Sequence, residues 1–281
     1  MFEYRATMLA LNSSPPPQIR FLKEEIEMYA EARGVNVKDT LSTFRGLELL
    51  PEMLTEFYLR ANIRELYEDC QPWYEEAVFE YQRIVSRLLA AALEYLKMNE
   101  ASIEFGFDCV VIIPNLIGPR GSAMGPVWRG IKYDVYTPWD RISWSPHELI
   151  HDMMAPLTKS DQHLDLILSI TNSIWANIEK TPAKDYYQDP ISFFDECLVR
   201  TIDHPVAEGH DKAGNRDRLR AALSAQANRG FVLCPLMLEV LSDYERSGQS
   251  FRDFFPEFLL ILKKKLSGQE EKAMVDCKRG S

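Results

Sequence analysis

Apolar residues recur at three- and four-residue spacing over most of this chain, and the period shifts to two in one central stretch only. Residues 18–98 read as helical. FLKEEIEMYAEARG ends on Gly34, placed as a C-cap. LLPEMLTEFYLRANIRELYEDC follows and is broken near Pro72. WYEEAVFEYQRIVSRLLAAALEYLKM then sets Val78, Tyr81, Ile84, Leu88 and Leu89 at helical spacing. Ahead of all this, Ser13-Ser14-Pro15-Pro16-Pro17 cannot continue a helix, so the first ten residues stand apart as a short strand or turn.

The period of two is found in residues 107–138. FDCVVIIPNL is short and β-branched, as a buried strand is, and GPRGSAMGP supplies turn residues. VWRGIKYDVYTP alternates Ile131, Tyr133 and Val135 against Lys132, Asp134 and Tyr136. Together they predict a β-hairpin directly before residue 145. From His147 the helical period returns. It gives a helix at the histidine, one over about 163–180, one over 190–204 and three more toward residue 266. Residues 269–281 read as a flexible polar tail. The expectation is α+β: one mostly helical domain over residues 1–281, with a small sheet or hairpin beside the His147 helix. Its parts are residues 18–98, 105–205 and 206–268.

Composition narrows the partners. The chain has 281 residues, 46% apolar and 26% charged, enough for one large folded core. Net charge is −10, so no basic footprint for nucleic acid or an anionic membrane is expected. Lys263-Lys264-Lys265 reads as cations favoured at a helix C-terminus. Cys70, Cys109, Cys197, Cys234 and Cys277 are odd in number and lack C-x-x-C spacing, which argues against a disulfide framework and a cysteine-held metal. No signal peptide and no run of 18 apolar residues is found, so a soluble, cytoplasmic protein is expected.

One octet carries chemistry. Residues 145–152 read SPHELIHD, so His147 and His151 stand at i and i+4. On a helix those positions share a face one turn apart and can offer two imidazole nitrogens to one ion. Glu148, one residue on, is set to act as a general base on a water rather than as a ligand. With so few histidines, the pattern arises by chance in roughly one chain in a hundred. The bland alternative is a capping box. There Ser145 is the N-cap, Pro146 is N1, Glu148 falls at N3 and Trp144 staples Leu149. It accounts for Glu148 but not for the paired histidines. Pro156 is expected to stop this helix.

A catalytic zinc takes three protein ligands and leaves one position open. His163, His204 and His210 do not stand at the close spacing of the extended pattern, and Met154 and Leu157 occupy its Gly and His positions. The third ligand is therefore sought in DPISFFDECLVRTIDHP. Asp189 and Pro190 read as N-cap and N1, Pro205 ends the run, and Ile191, Phe194, Leu198 and Ile202 form the apolar stripe. Glu196 lies off that stripe and is the first candidate, with an i,i+4 pair to Arg200 on a solvated face as its ordinary alternative. Asp195 lies nearer the core side and is the second.

His147, His151 and Glu196 resemble the ligand set of the gluzincin metallopeptidases. SPHELIHDMMAPL together with FFDECLVRTI is similar to an uncharacterised prokaryotic family with a zincin-like core. A weaker likeness extends to LRANIRELYEDCQPWYEE and GFVLCPLMLEVLSDYE. The resemblance implies one Zn2+ per chain, held by His147, His151 and Glu196, with Glu148 as catalytic base. Its implied activity is hydrolysis of a peptide or protein substrate. Gluzincins carry an Asp four residues after the ligand glutamate, where this chain has Arg200; Asp195 and Asp203 are the substitutes for orienting a histidine. Candidates for stabilising an oxyanion are Arg200, His204, His210, Tyr186 and Tyr187. The competing classes are a zincin-like binding or regulatory protein that keeps zinc without turnover, and a helical interaction protein with a coincidental motif.

Overall fold

The computed structural model describes residues 13–14, 16–32, 37–42, 44–98, 109–114, 123–124, 131–136, 146–179, 181–187, 189–208 and 215–279. Gly34, Trp144, Ser145 and His210 lie outside the described residues. The sequence reading takes the chain as one domain, whereas the structure divides it into two compact units. The first comprises residues 1–84 and 106–143, the second residues 85–105 and 144–281.

Among the described residues of the first stretch there are four helices: α1 (Lys23–Ala32), α2 (Val37–Ser42), α3 (Leu50–Arg60) and α4 (Ile63–Tyr95). Helix α4 runs through Pro72 without a break and carries the chain into the second unit. A proline removes one N–H and one i→i−4 bond, which a helix this long tolerates when both flanks are held. The strands β1 (Cys109–Pro114), β2 (Ala123–Met124) and β3 (Ile131–Tyr136) form a sheet ordered β1-β3-β2. β1 pairs with β3 in parallel, Cys109 opposite Ile131 through Pro114 opposite Tyr136, while β2 runs antiparallel to β3. A parallel pair cannot be closed by a tight turn. β1 and β3 therefore do not form the expected hairpin.

Among the described residues of the second unit, seven helices follow the end of α4: α5 (His147–Thr158), α6 (Asp161–Asn177), α7 (Pro182–Tyr186), α8 (Pro190–Glu208), α9 (Asn215–Asn228), α10 (Cys234–Ser247) and α11 (Phe251–Arg279). Among its described residues there is no strand, and the three short strands belong to the first unit. This corrects the α+β expectation. The chain is essentially all-α, and the His147 helix is built into a helical bundle. Two expected helix ends also move. Pro156 sits inside α5 and Pro205 inside α8, each in the last turn, where few i→i−4 bonds remain to be lost. The backbone of the expected tail is helical to Arg279.

Helix α8 is the axis of this unit. Its N-terminus is capped as the Asp-Pro pair predicts: Asp189 Oδ1 accepts from the Ile191 and Ser192 amides, both at 2.9 Å. Burial opposes ionisation of Asp189, but the Ser192 and Ile191 bonds outweigh it and hold the carboxyl below its ordinary value. Every residue over 193–199 is buried. Phe193, Phe194, Leu198 and Ile202 pack in one cluster with Ile150 and Met154 of α5 and Phe255 of α11. Glu196 is therefore a buried carboxylate, not a group on a solvated face. Among the described residues no helix is long and apolar enough to cross a membrane.

Candidate metal centre

Burying charge in a core is costly unless it is paired. Helix α8 buries two adjacent carboxylates, Asp195 at 8% exposure and Glu196 at 3%. Their partners come from α5, one turn apart as the i,i+4 spacing requires. His151 Nε2 lies 3.2 Å from His147 Nε2 and 3.1 Å from Glu196 Oε2. His147 Nε2 lies 3.6 Å from Glu196 Oε1. Taking one oxygen of Glu196, the three donor atoms all fall within 4.8 Å of one another, so this group could hold a metal ion. For bonds of about 2.0–2.1 Å, tetrahedral ligands stand roughly 3.3–3.4 Å apart. The two separations from His151 Nε2, 3.2 Å and 3.1 Å, stand close to that figure, whereas His147 Nε2 is nearest the other oxygen of Glu196, so closing on one ion requires an adjustment between His147 and Glu196.

The outer contacts orient the donors. His151 Nδ1 lies 2.7 Å from Asp195 Oδ2, and Asp195 Oδ1 accepts from Thr158 Oγ1 at 2.7 Å. With Nδ1–H given to Asp195, Nε2 is the nitrogen left to face the ion, the arrangement metal-bound histidines take. Asp195 is thus placed behind a ligand candidate rather than among the ligands. Asp203 Oδ2 lies 3.8 Å from His147 Nδ1, an ion-pair distance rather than a hydrogen bond.

The electrostatics follow from these distances. Burial alone pushes the His151 imidazole down, but the hydrogen bonds it donates to Asp195 and Glu196 outweigh that and raise it to about 9. For Glu196, burial opposes ionisation, yet His147, His151 and Arg200 together hold the carboxyl well below the usual range. In the metal-free chain at neutral pH, His151 therefore carries a second proton on Nε2, where a cation would otherwise sit.

Arg200, four residues after Glu196, places Nη2 2.6 Å from Glu196 Oε1. The ordinary i,i+4 pair is thus present, buried inside the site instead of on a wet face. Tyr187 is close enough to Glu196 and Arg200 to interact electrostatically with both, and burial raises its phenol well above the usual value. Glu148 is half-buried next to His147. His204 is half-buried on α8 but is not among the side chains gathered at the donors, and Tyr186 is 75% exposed. His163 is a core histidine, edge-on to Phe255 at 5.2 Å, its imidazole pushed down by burial.

Sequence reasoning missed Thr158, Gln226 and Phe231. Thr158 had a signal, since it stands seven residues after His151 and so on the same helical face. Gln226 and Phe231 reach Arg200 from outside α8, and nothing local in the sequence links them to it. Comparison with family models, with curated proteins and with solved structures finds no match to this chain.

Proposed function

We propose that this chain is a zinc-dependent hydrolase of the gluzincin type, acting on peptide bonds. One observation carries the reading. Two histidines one turn apart and a buried glutamate converge at ligand spacing, with Asp195 already behind His151. Two imidazoles and one carboxylate make the His2Glu donor set of catalytic zinc. His147 and His151 have side chains 20% and 21% exposed against 4% for Glu196, so the open side of the site lies at the histidines.

A bound zinc ion would supply a water acidic near neutral pH and would polarise a substrate carbonyl. Glu148, beside His147 and half-buried, takes the proton from the attacking water and returns it to the leaving amine. Asp195 holds the His151 ring and its tautomer. Asp203 offsets charge beside His147.

The test combines metal analysis with a peptide-library assay of the full chain. One zinc per chain is expected, lost in His151→Ala and in Glu196→Ala. Glu148→Gln should keep the zinc and lose turnover. Zinc without turnover in the native chain would favour a binding or regulatory role, and no zinc after reconstitution would leave SPHELIHD as an ordinary helix start.

A further inference from the structure

We propose that Arg200 is a positioning residue that restricts Glu196 to a single oxygen ligand and so keeps the fourth metal position open. The inference rests on the metal reading above. A carboxylate can bind zinc through one oxygen or two, and two would fill the place that a substrate or water needs. In this site the two oxygens have different nearest partners, although Oε1 also lies 3.6 Å from His147 Nε2. Oε2 lies 3.1 Å from His151 Nε2, on the donor side. Oε1 lies 2.6 Å from Arg200 Nη2.

The preference is imposed by Arg200 only if Arg200 is itself fixed, and it is held from two other places. Nη1 donates to Gln226 Oε1 on α9 at 3.3 Å. The guanidinium lies over the Phe231 ring at 4.3 Å. Tyr187, just past α7, interacts with it electrostatically. Arg200 Nε is buried without a hydrogen-bond partner, a cost accepted where the rest of the planar fork is aimed at Glu196 and Gln226. A merely charge-balancing cation would need none of these supports. The arginine acts on the metal only through Glu196.

The experiment replaces zinc by cobalt(II) in the full chain and reads the visible absorption, strong for four-coordinate cobalt and several-fold weaker for five-coordinate. The native chain should give the strong spectrum. Arg200→Met keeps a stem on Phe231 but frees Oε1. Its absorbance should fall several-fold, and zinc X-ray absorption should show one more oxygen neighbour. Arg200→Lys keeps a cation but cannot hold Gln226 and Glu196 together. It should shift the same way to a lesser extent, and it decides the matter if the methionine variant does not fold. Cobalt bound with native spectra in the folded variants would overturn the clamp alone, as would a five-coordinate native spectrum. A native chain that takes up neither cobalt nor zinc would overturn the metal reading and the clamp together.

Discussion

Asp195 offers the sharpest test of how the site is held. Its carboxylate accepts from His151 Nδ1 at 2.7 Å through one oxygen and from Thr158 Oγ1 at 2.7 Å through the other. Asp195→Ala removes both acceptors. Thr158 has a substitute, because its hydroxyl also lies 3.2 Å from the Met154 carbonyl. His151 has none among these contacts, so the cost falls on the orientation and tautomer of a ligand. Loss of such an outer partner weakens metal binding by about 10- to 100-fold, or about 1.4–2.7 kcal/mol. Asp195→Asn is gentler. Its oxygen can stay on His151 Nδ1–H while its NH2 donates to Thr158 Oγ1, whose own proton turns to Met154. Geometry and tautomer survive and only the charge is lost, so a fall of roughly tenfold or less is expected. The assay is competition for zinc with a chromophoric chelator, with thermal melting to show that both variants fold. If folded Asp195→Ala held zinc as tightly as the native chain, Asp195 would have no part in orienting His151.

Two further outcomes follow from the same geometry. His151, raised from 6.5 to about 9, stabilises the metal-free fold fully below pH 6.5 and loses that contribution as pH rises through about 9; because its proton must leave before metal binds, zinc affinity should climb over this window, and a flat profile by chelator competition would contradict the buried imidazolium. Gly230 has φ +103, and a Cβ there would overlap Thr181 Oγ1 and lie 2.6 Å from Thr181 Cβ, so Gly230→Ala should cost about 1–3 kcal/mol in thermal melting and disturb the adjoining Phe231 under Arg200.

What the sequence made legible was local. His147 and His151 at i and i+4 need only one helical turn to meet, and Asp189-Pro190 needs only its own helix to cap it. The errors arose where a local signal was read without its surroundings. Pro72, Pro156 and Pro205 look like helix ends because each removes a backbone donor, yet all three lie inside helices. The strand at 109–114 is a short β-branched run and that at 131–136 alternates, but such patterns fix which residues share a face and not the direction of pairing. The sense of β1 against β3 is set by the path of the chain between them, on which periodicity is silent.

Glu196 shows how a candidate can be reached through an incomplete picture. Its distance from the Ile191, Phe194, Leu198 and Ile202 stripe suggested a solvated position, on the assumption that α8 has one apolar face. In the structure α8 is surrounded, so the side away from the stripe is buried too. That changes what the Glu196–Arg200 pair means. On a wet surface an i,i+4 pair contributes a few tenths of a kcal/mol and dictates nothing. Buried beside two histidines, the same pair determines which oxygen of Glu196 is available to an ion. The ordinary and the functional readings of the pair are therefore not rivals: the spacing is the same in both, and burial decides which consequence follows. Asp203, seven residues after Glu196, extends that face by a further turn toward His147. One side of α8 thus presents Glu196, Arg200 and Asp203 to the site, while Asp195 reaches His151 from the neighbouring position.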